Sequence, residues 1–148
     1  MTEYMDKRFK DCLKNKKIFS DPDACNLANK ELKVALDDLE EAKDRYKNRK
    51  YKYATGTAYY AIFHAVRALI CSVGYRERSH YCLALALEEF FVKQKKLLTM
   101  KDVRSFFNAM ALREDADYAF EYSKDGAKIA IESAEEFIKK AKKILSNK

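Results

Sequence analysis

Three glycines, one proline and no tryptophan occur in the 148 residues of this chain. So few breakers exclude a β-sandwich or a doubly wound sheet, whose many turns consume both residue types. The residues between them are dominated by Ala, Leu, Lys and Glu, all good helix formers. Long apolar runs are also missing. Hydrophobic residues make up 48% of the chain, yet no stretch approaches the ~20 residues needed to cross a bilayer. The richest stretch, Ala58 to Val73, is interrupted by His64 and Arg67. The first residues, MTEYMDKRFKDC, lack the apolar centre of a signal peptide, so a soluble, cytoplasmic protein is expected. Metal-ligand spacing is absent as well. Cys12, Cys25, Cys71 and Cys82 include no CxxC pair, and His64 and His80 stand in no ligand pattern with them. No metal and no cofactor are expected, and the cysteines read as reduced thiols of an intracellular protein.

A chain of this length matches one domain able to bury roughly 68–70% of its unfolded surface. Its net charge is +7 and its pI near 9.1, a balance that attracts phosphate backbones or acidic proteins. Most of the charge is mixed in sign along helices, as in LDDLEEAKDRYKNRK and ESAEEFIKKAKK, the pattern of solvated faces with i,i+4 pairs. Lys43 to Lys52 departs from it, with six basic residues, one acid, and Tyr46 and Tyr51 among them. Such a cluster suits RNA contact, and equally suits a helix C-terminus collecting cations.

Periodicity places the helices. An amphipathic segment over about residues 3–17 reads as an N-terminal arm, giving a division into residues 1–19 (arm) and 20–148 (bundle). Ser20-Asp21-Pro22-Asp23 is a start signal for a second helix reaching about Asn48. Its stripe, Ala28, Leu32, Ala35, Leu39, Ala42 and Tyr46, has the four-three rhythm of a packed seam. The third helix, about Tyr51 to Val73, is apolar on most sides and is expected at the centre. Gly74 stops it, GYRERS reads as a loop, and Ser79 caps a fourth helix to about Lys93. Thr99 caps a fifth segment built on Met100, Val103, Phe106, Phe107 and Met110. The last helix, about Lys124 to Ser146, repeats the rhythm with Ala127, Ile131, Ala134, Ile138, Ala141 and Leu145. The fold class expected is all-α: an antiparallel bundle of about five helices plus the arm.

Two polar groups exceed what such a bundle needs. Tyr60, His64 and Arg67 follow one another on one face of the third helix, with Cys71 next in line. Either they form a structural network, Arg67 with a carboxylate and His64 with a buried carbonyl, or they make an anion or nucleotide site. The second group is LREDADYAFEY, residues 112–122, read as the stretch joining the fifth segment to the last helix. There Arg113 can stabilise phosphate charge and Asp117 can accept a proton, or the arginine simply bridges to neighbouring acids while Tyr118 packs inward. Ten tyrosines and nine phenylalanines are a large aromatic load, and some of it is expected at a homodimer interface.

The run YKYATGTAYYAIFHAVRALICSVGYRERSH, followed by ALREDADYAFEY and a final Ala-rich helix, resembles the HEPN domain family over about residues 28–145. The resemblance implies a small helical bundle, commonly encoded beside a minimal nucleotidyltransferase and often acting with it as a toxin–antitoxin pair, in which the HEPN protein is a dimeric, metal-independent ribonuclease. Active members carry an arginine, four to six residues, then a histidine. Here Arg113 matches the arginine, but Tyr118 stands where the histidine would, as in an Asp-Tyr subgroup. An unperturbed phenol, with a pKa near 10, is a poor general base at neutral pH, though it can bond a phosphate or stack on a base. The expected function is therefore a dimeric nucleotide- or RNA-binding accessory module, partner of a minimal nucleotidyltransferase, with Tyr60, His64, Arg67, His80 and Arg113 as phosphate-binding candidates. The alternatives are a ribonuclease toxin using Arg113 with Asp117 or Tyr118, and a purely structural interaction protein.

Overall fold

The computed structural model describes residues 5–147, so the first residues of the expected arm helix lie outside it. The elements in chain order are α1 (Lys7–Lys14), β1 (Ile18–Ser20), a 3₁₀ segment (Pro22–Leu27), α2 (Ala28–Lys47), α3 (Tyr51–Ser72), β2 (Tyr75–Glu77), α4 (His80–Leu87) continued by a π-helical segment (Glu88–Gln94), α5 (Met100–Tyr118) and α6 (Lys124–Ser146). The fold is an all-α bundle with one small two-stranded sheet among the described residues.

The centre is α3, which packs against α2, α5 and α6. Thirteen of its residues are buried, among them Ala54, Ala58, Ala61, Ala65 and Ala68. These small side chains let neighbouring backbones come close, and the facing seams are alanine-rich too: Ala35 and Ala42 on α2, and Ala127, Ala130, Ala134 and Ala141 on α6. The larger seam residues Leu39, Ile131 and Ile138 are buried between them. Helix α4 is apolar all round, and its residues from Cys82 to Leu87 are all buried. Its cap is the expected one, with the Ser79 hydroxyl accepting from the Cys82 N–H at 3.2 Å. Thr99 and Asp102 close a capping box on α5.

Four local expectations are corrected. The helix starting at Pro22 is a 3₁₀ turn as far as Leu27, and the α-helix begins at Ala28. The GYRERS segment is not all loop: Tyr75–Glu77 pairs antiparallel with Ile18–Ser20, with Phe19 opposite Arg76. A three-residue ladder between distant segments has no periodicity to announce it. Residues 112–118 continue α5 rather than linking it to α6, because nothing in LREDADY breaks a helix. Finally, Cys12 and Cys82 are joined by a disulfide across 70 residues, while Cys25 and Cys71 are free. The reduced-thiol reading fails for that pair because packing α1 on α4 brings the two Cα atoms to 5.8 Å, inside bonding range. Phe9, 1% exposed, belongs to the same core as the bundle helices, so α1 docks on its own bundle. No described helix is long and apolar enough to cross a membrane.

Candidate functional site

Three helices bring polar groups to one aromatic cluster. Helix α3 supplies Tyr59, Tyr60 and Phe63 over one turn, the N-terminal residue of α4 supplies His80, and α5 supplies Phe106 and Arg113. The Arg113 guanidinium lies 5.0 Å from the centre of the Tyr59 ring and 5.7 Å from that of Tyr60, within cation–π range. Its side chain is only 13% exposed, and its ion pair to Asp117, one turn on, is a loose 3.8 Å. Its Nε is buried and has no hydrogen-bond partner. A guanidinium so desolvated and so weakly compensated has donors left for an anion.

The same two tyrosine rings border His80. Its ring stacks on Phe63 at 4.2 Å and stands edge-on to Tyr60 at 6.3 Å, and its Nδ1 lies 2.5 Å from the Tyr59 hydroxyl. Burial lowers the His80 pKa, and the positive charge of Arg113 lowers it further. Burial raises that of the Tyr59 phenol. Both groups are therefore neutral at pH 7. A phenol is the better donor and an imidazole nitrogen the better acceptor, so we assign the proton to Tyr59, donating to Nδ1. That leaves the ring N–H of His80 on Nε2, a donor.

His64 and Arg67 take another direction. His64 Nδ1 is 2.7 Å from Glu31 Oε1 on α2, and Nε2 is 3.9 Å from Asp38. Arg67 binds Glu77 on β2 through two nitrogens, at 2.6 Å from Nη2 and 3.2 Å from Nε, and reaches Glu31 at 3.7 Å. Burial raises the Glu31 carboxyl, but the His64 bond and the Arg67 charge outweigh it and hold the pKa below its ordinary value. So the partner of His64 is a carboxylate, not the carbonyl weighed from sequence, while Arg67 does pair with a carboxylate. Arg67 still touches the aromatic cluster, its guanidinium 4.5 Å from the Phe63 ring. Of the residues singled out from sequence, the structure gathers Tyr60, His80 and Arg113; His64 and Arg67 lie one step away, committed to acids.

Tyr118 ends α5 and is 75% exposed, so it does not pack inward. Five residues after Arg113 it points ~140° away around the helix, whereas Asp117 shares the arginine's face. Beyond it, Phe120 and Tyr122 are also exposed, and Lys52 lies 5.2 Å from the Phe120 ring and 5.5 Å from that of Tyr53. In the basic run preceding α3, Lys43 pairs with Glu135 and Arg45 with Glu41. Among the described residues no group of three or more His, Cys, Asp or Glu is placed to hold a metal.

Sequence reasoning missed Tyr59, Phe63, Phe106, Glu31 and Glu77. A signal existed for Glu31: with Asp38 it lies seven residues apart, flanking the apolar seam of α2 where a cationic helix could answer. None existed for Glu77, whose position depends on the strand pairing.

The fold and the site define a small basic helical bundle with a half-buried arginine held on tyrosine faces. The HEPN domain profile matches residues 28–145, and the chain belongs to the HEPN domain family. It is 32% identical over 106 residues to a UPF0332 protein of Archaeoglobus fulgidus, covering 70% of this chain and 83% of that one. It is 30% identical to a UPF0332 protein of Thermotoga maritima, covering 74% and 83%. A protein of Methanocaldococcus jannaschii named "Putative toxin" is 29% identical over 115 residues, covering 77% and 85%.

Proposed function

We propose that this chain is a dimeric nucleotide- or RNA-binding module, working beside a minimal nucleotidyltransferase in a toxin–antitoxin type of pair, and that Arg113 is its phosphate anchor. The observation that carries the reading is the desolvated Arg113 guanidinium, with a partnerless Nε and only a loose contact to Asp117. His80, as an Nε2–H donor, and the partly exposed Tyr60 would complete the phosphate contacts. The exposed aromatics Tyr118, Phe120 and Tyr122 with Lys52 would offer stacking faces to bases. Membership of the HEPN family and the toxin name of one relative support an RNA-related role. In this reading His64 and Arg67 hold the α2–α3–β2 junction and touch the ligand only through Phe63.

The test is fluorescence anisotropy of a labelled single-stranded RNA, in EDTA, with the same samples run on a denaturing gel. Arg113→Ala should weaken binding at least tenfold at fixed salt, and Arg113→Lys should rescue it only in part, since an ammonium cannot reproduce the planar fork. No binding of RNA or nucleotide by the native protein would remove the reading. A second reading, metal-independent RNA cleavage, draws on one observation: a neutral histidine stands in the same cluster as Arg113. In that case His80 rather than Tyr118 would take the proton of the attacking 2′-hydroxyl, with Nδ1–H turned to donate to Tyr59. RNA fragments lost in both Arg113→Ala and His80→Ala would select it. Light scattering reads the dimer, and co-purification with a nucleotidyltransferase encoded beside it reads the partner.

A further inference from the structure

Roughly 20 Å along α5 from Arg113, by the helix rise, lies a hollow that the proposed function does not use. It sits where the C-terminal ends of α3 and α6 meet the connection into α5. Its volume is about 600 Å³, within the ~300–1,000 Å³ of small-ligand sites.

The walls are apolar: Val73 after α3, Phe91 in the π segment, and Ile144 on α6. Leu97, 55% exposed, stands among its lining residues, a large apolar side chain left facing water. The connection that carries it is unusual. It leaves a π-helical segment and passes through Lys96 at φ 56°, left-handed backbone that a non-glycine residue seldom adopts. Helical widening of this kind is frequent at functional sites.

The charges on the rim decide what fits. Asp102 is 5% exposed, and both its oxygens are engaged, Oδ1 by Lys140 at 2.7 Å and Oδ2 by the Thr99 N–H and hydroxyl. Lys140 also reaches Glu136 at 3.6 Å, so its own charge is committed. Lys95 and Lys143 are exposed and, among the described residues, have no ion-pair partner. The lining therefore carries two uncommitted positive charges and no uncommitted negative one, around an apolar interior too small and concave for a protein surface.

We propose that this hollow is a binding site for a small amphipathic anion, whose apolar or aromatic body rests against Val73, Phe91 and Ile144 while its carboxylate, sulfonate or phosphate meets Lys95 and Lys143. The ligand binds reversibly and no covalent step is involved.

The experiment uses the full chain and 8-anilinonaphthalene-1-sulfonate, which has both required parts, with decanoate and decanol as competitors of equal chain length. The sulfonate should bind with one saturable site, and decanoate should displace it at least tenfold more effectively than decanol. The double variant Lys95→Gln/Lys143→Gln should weaken dye and decanoate at least tenfold. Val73→Trp, which fills the hollow, should abolish the site, and Leu97→Ser at the rim serves as the second variant should Val73→Trp melt early. Arg113→Ala should leave dye binding unchanged, which separates this site from the phosphate anchor. Equal displacement by decanol, unchanged binding in the lysine double variant, or no dye binding to the native protein would each overturn the proposal.

Discussion

Replacing Arg67 with methionine is the most informative perturbation of the α2–α3–β2 junction. Methionine keeps an unbranched stem against Phe63 but removes the guanidinium that grips Glu77, whose side chain is 5% exposed. Losing one partner of a buried ion pair costs about 3–5 kcal/mol, because the other charge stays desolvated. Arg67 is 27% exposed, so solvent already screens part of the interaction, and the expectation falls to about 2–4 kcal/mol. At roughly 3 °C per kcal/mol for a domain of this size, Arg67→Met should melt about 6–12 °C lower in a circular-dichroism scan at neutral pH. Arg67→Met/Glu77→Met should recover most of that loss, since an apolar pair has no charge to strand. RNA affinity should change little in the double variant. A melt within about 1 kcal/mol of the parent would show that the arginine is not committed to Glu77. Should RNA binding collapse while the melt stays put, Arg67 would be a ligand residue and the division of the site drawn above would be wrong.

Two further outcomes follow from the same geometry. Burial, then Arg113, holds His80 below its ordinary pKa of 6.5 in the folded state, so between the folded and unfolded values the unfolded chain binds the extra proton. The stability this contributes is fully present above about pH 6.5 and is lost as pH falls toward the folded value. His80→Gln should therefore narrow the difference in melting temperature between about pH 7.5 and about pH 5; an unchanged difference would refute this account of its burial. The second concerns Cys12–Cys82. At a sequence separation of 70, chain-entropy reasoning gives about 4 kcal/mol of stabilisation. The oxidised protein unfolded without reductant should titrate two thiols, and reduction or Cys12→Ser/Cys82→Ser should lower the melting temperature by roughly 10 °C or more. Four titratable thiols before reduction would exclude the bond.

Helix content and seams were legible because they are local: the four-three rhythm of α2 and α6, the all-round apolarity of α3 and the Ser79 and Thr99 caps each need only neighbours in the chain. For the same reason Tyr60, Arg67 and Arg113 stood out, as polar groups placed in apolar or crowded stretches. Which of them meet was not legible. His80 lies 33 residues before Arg113 in the numbering, and only the docking of α4 and α5 on α3 puts both beside Tyr59 and Tyr60. Glu77 becomes the partner of Arg67 through a strand pairing that three residues cannot signal, and Cys12 finds Cys82 because Phe9 seats α1 in the core. Periodicity records how each helix meets water and apolar surface. Contacts between side chains far apart in the chain depend on helix angles and offsets set by packing all the seams at once, and those belong to the tertiary structure alone.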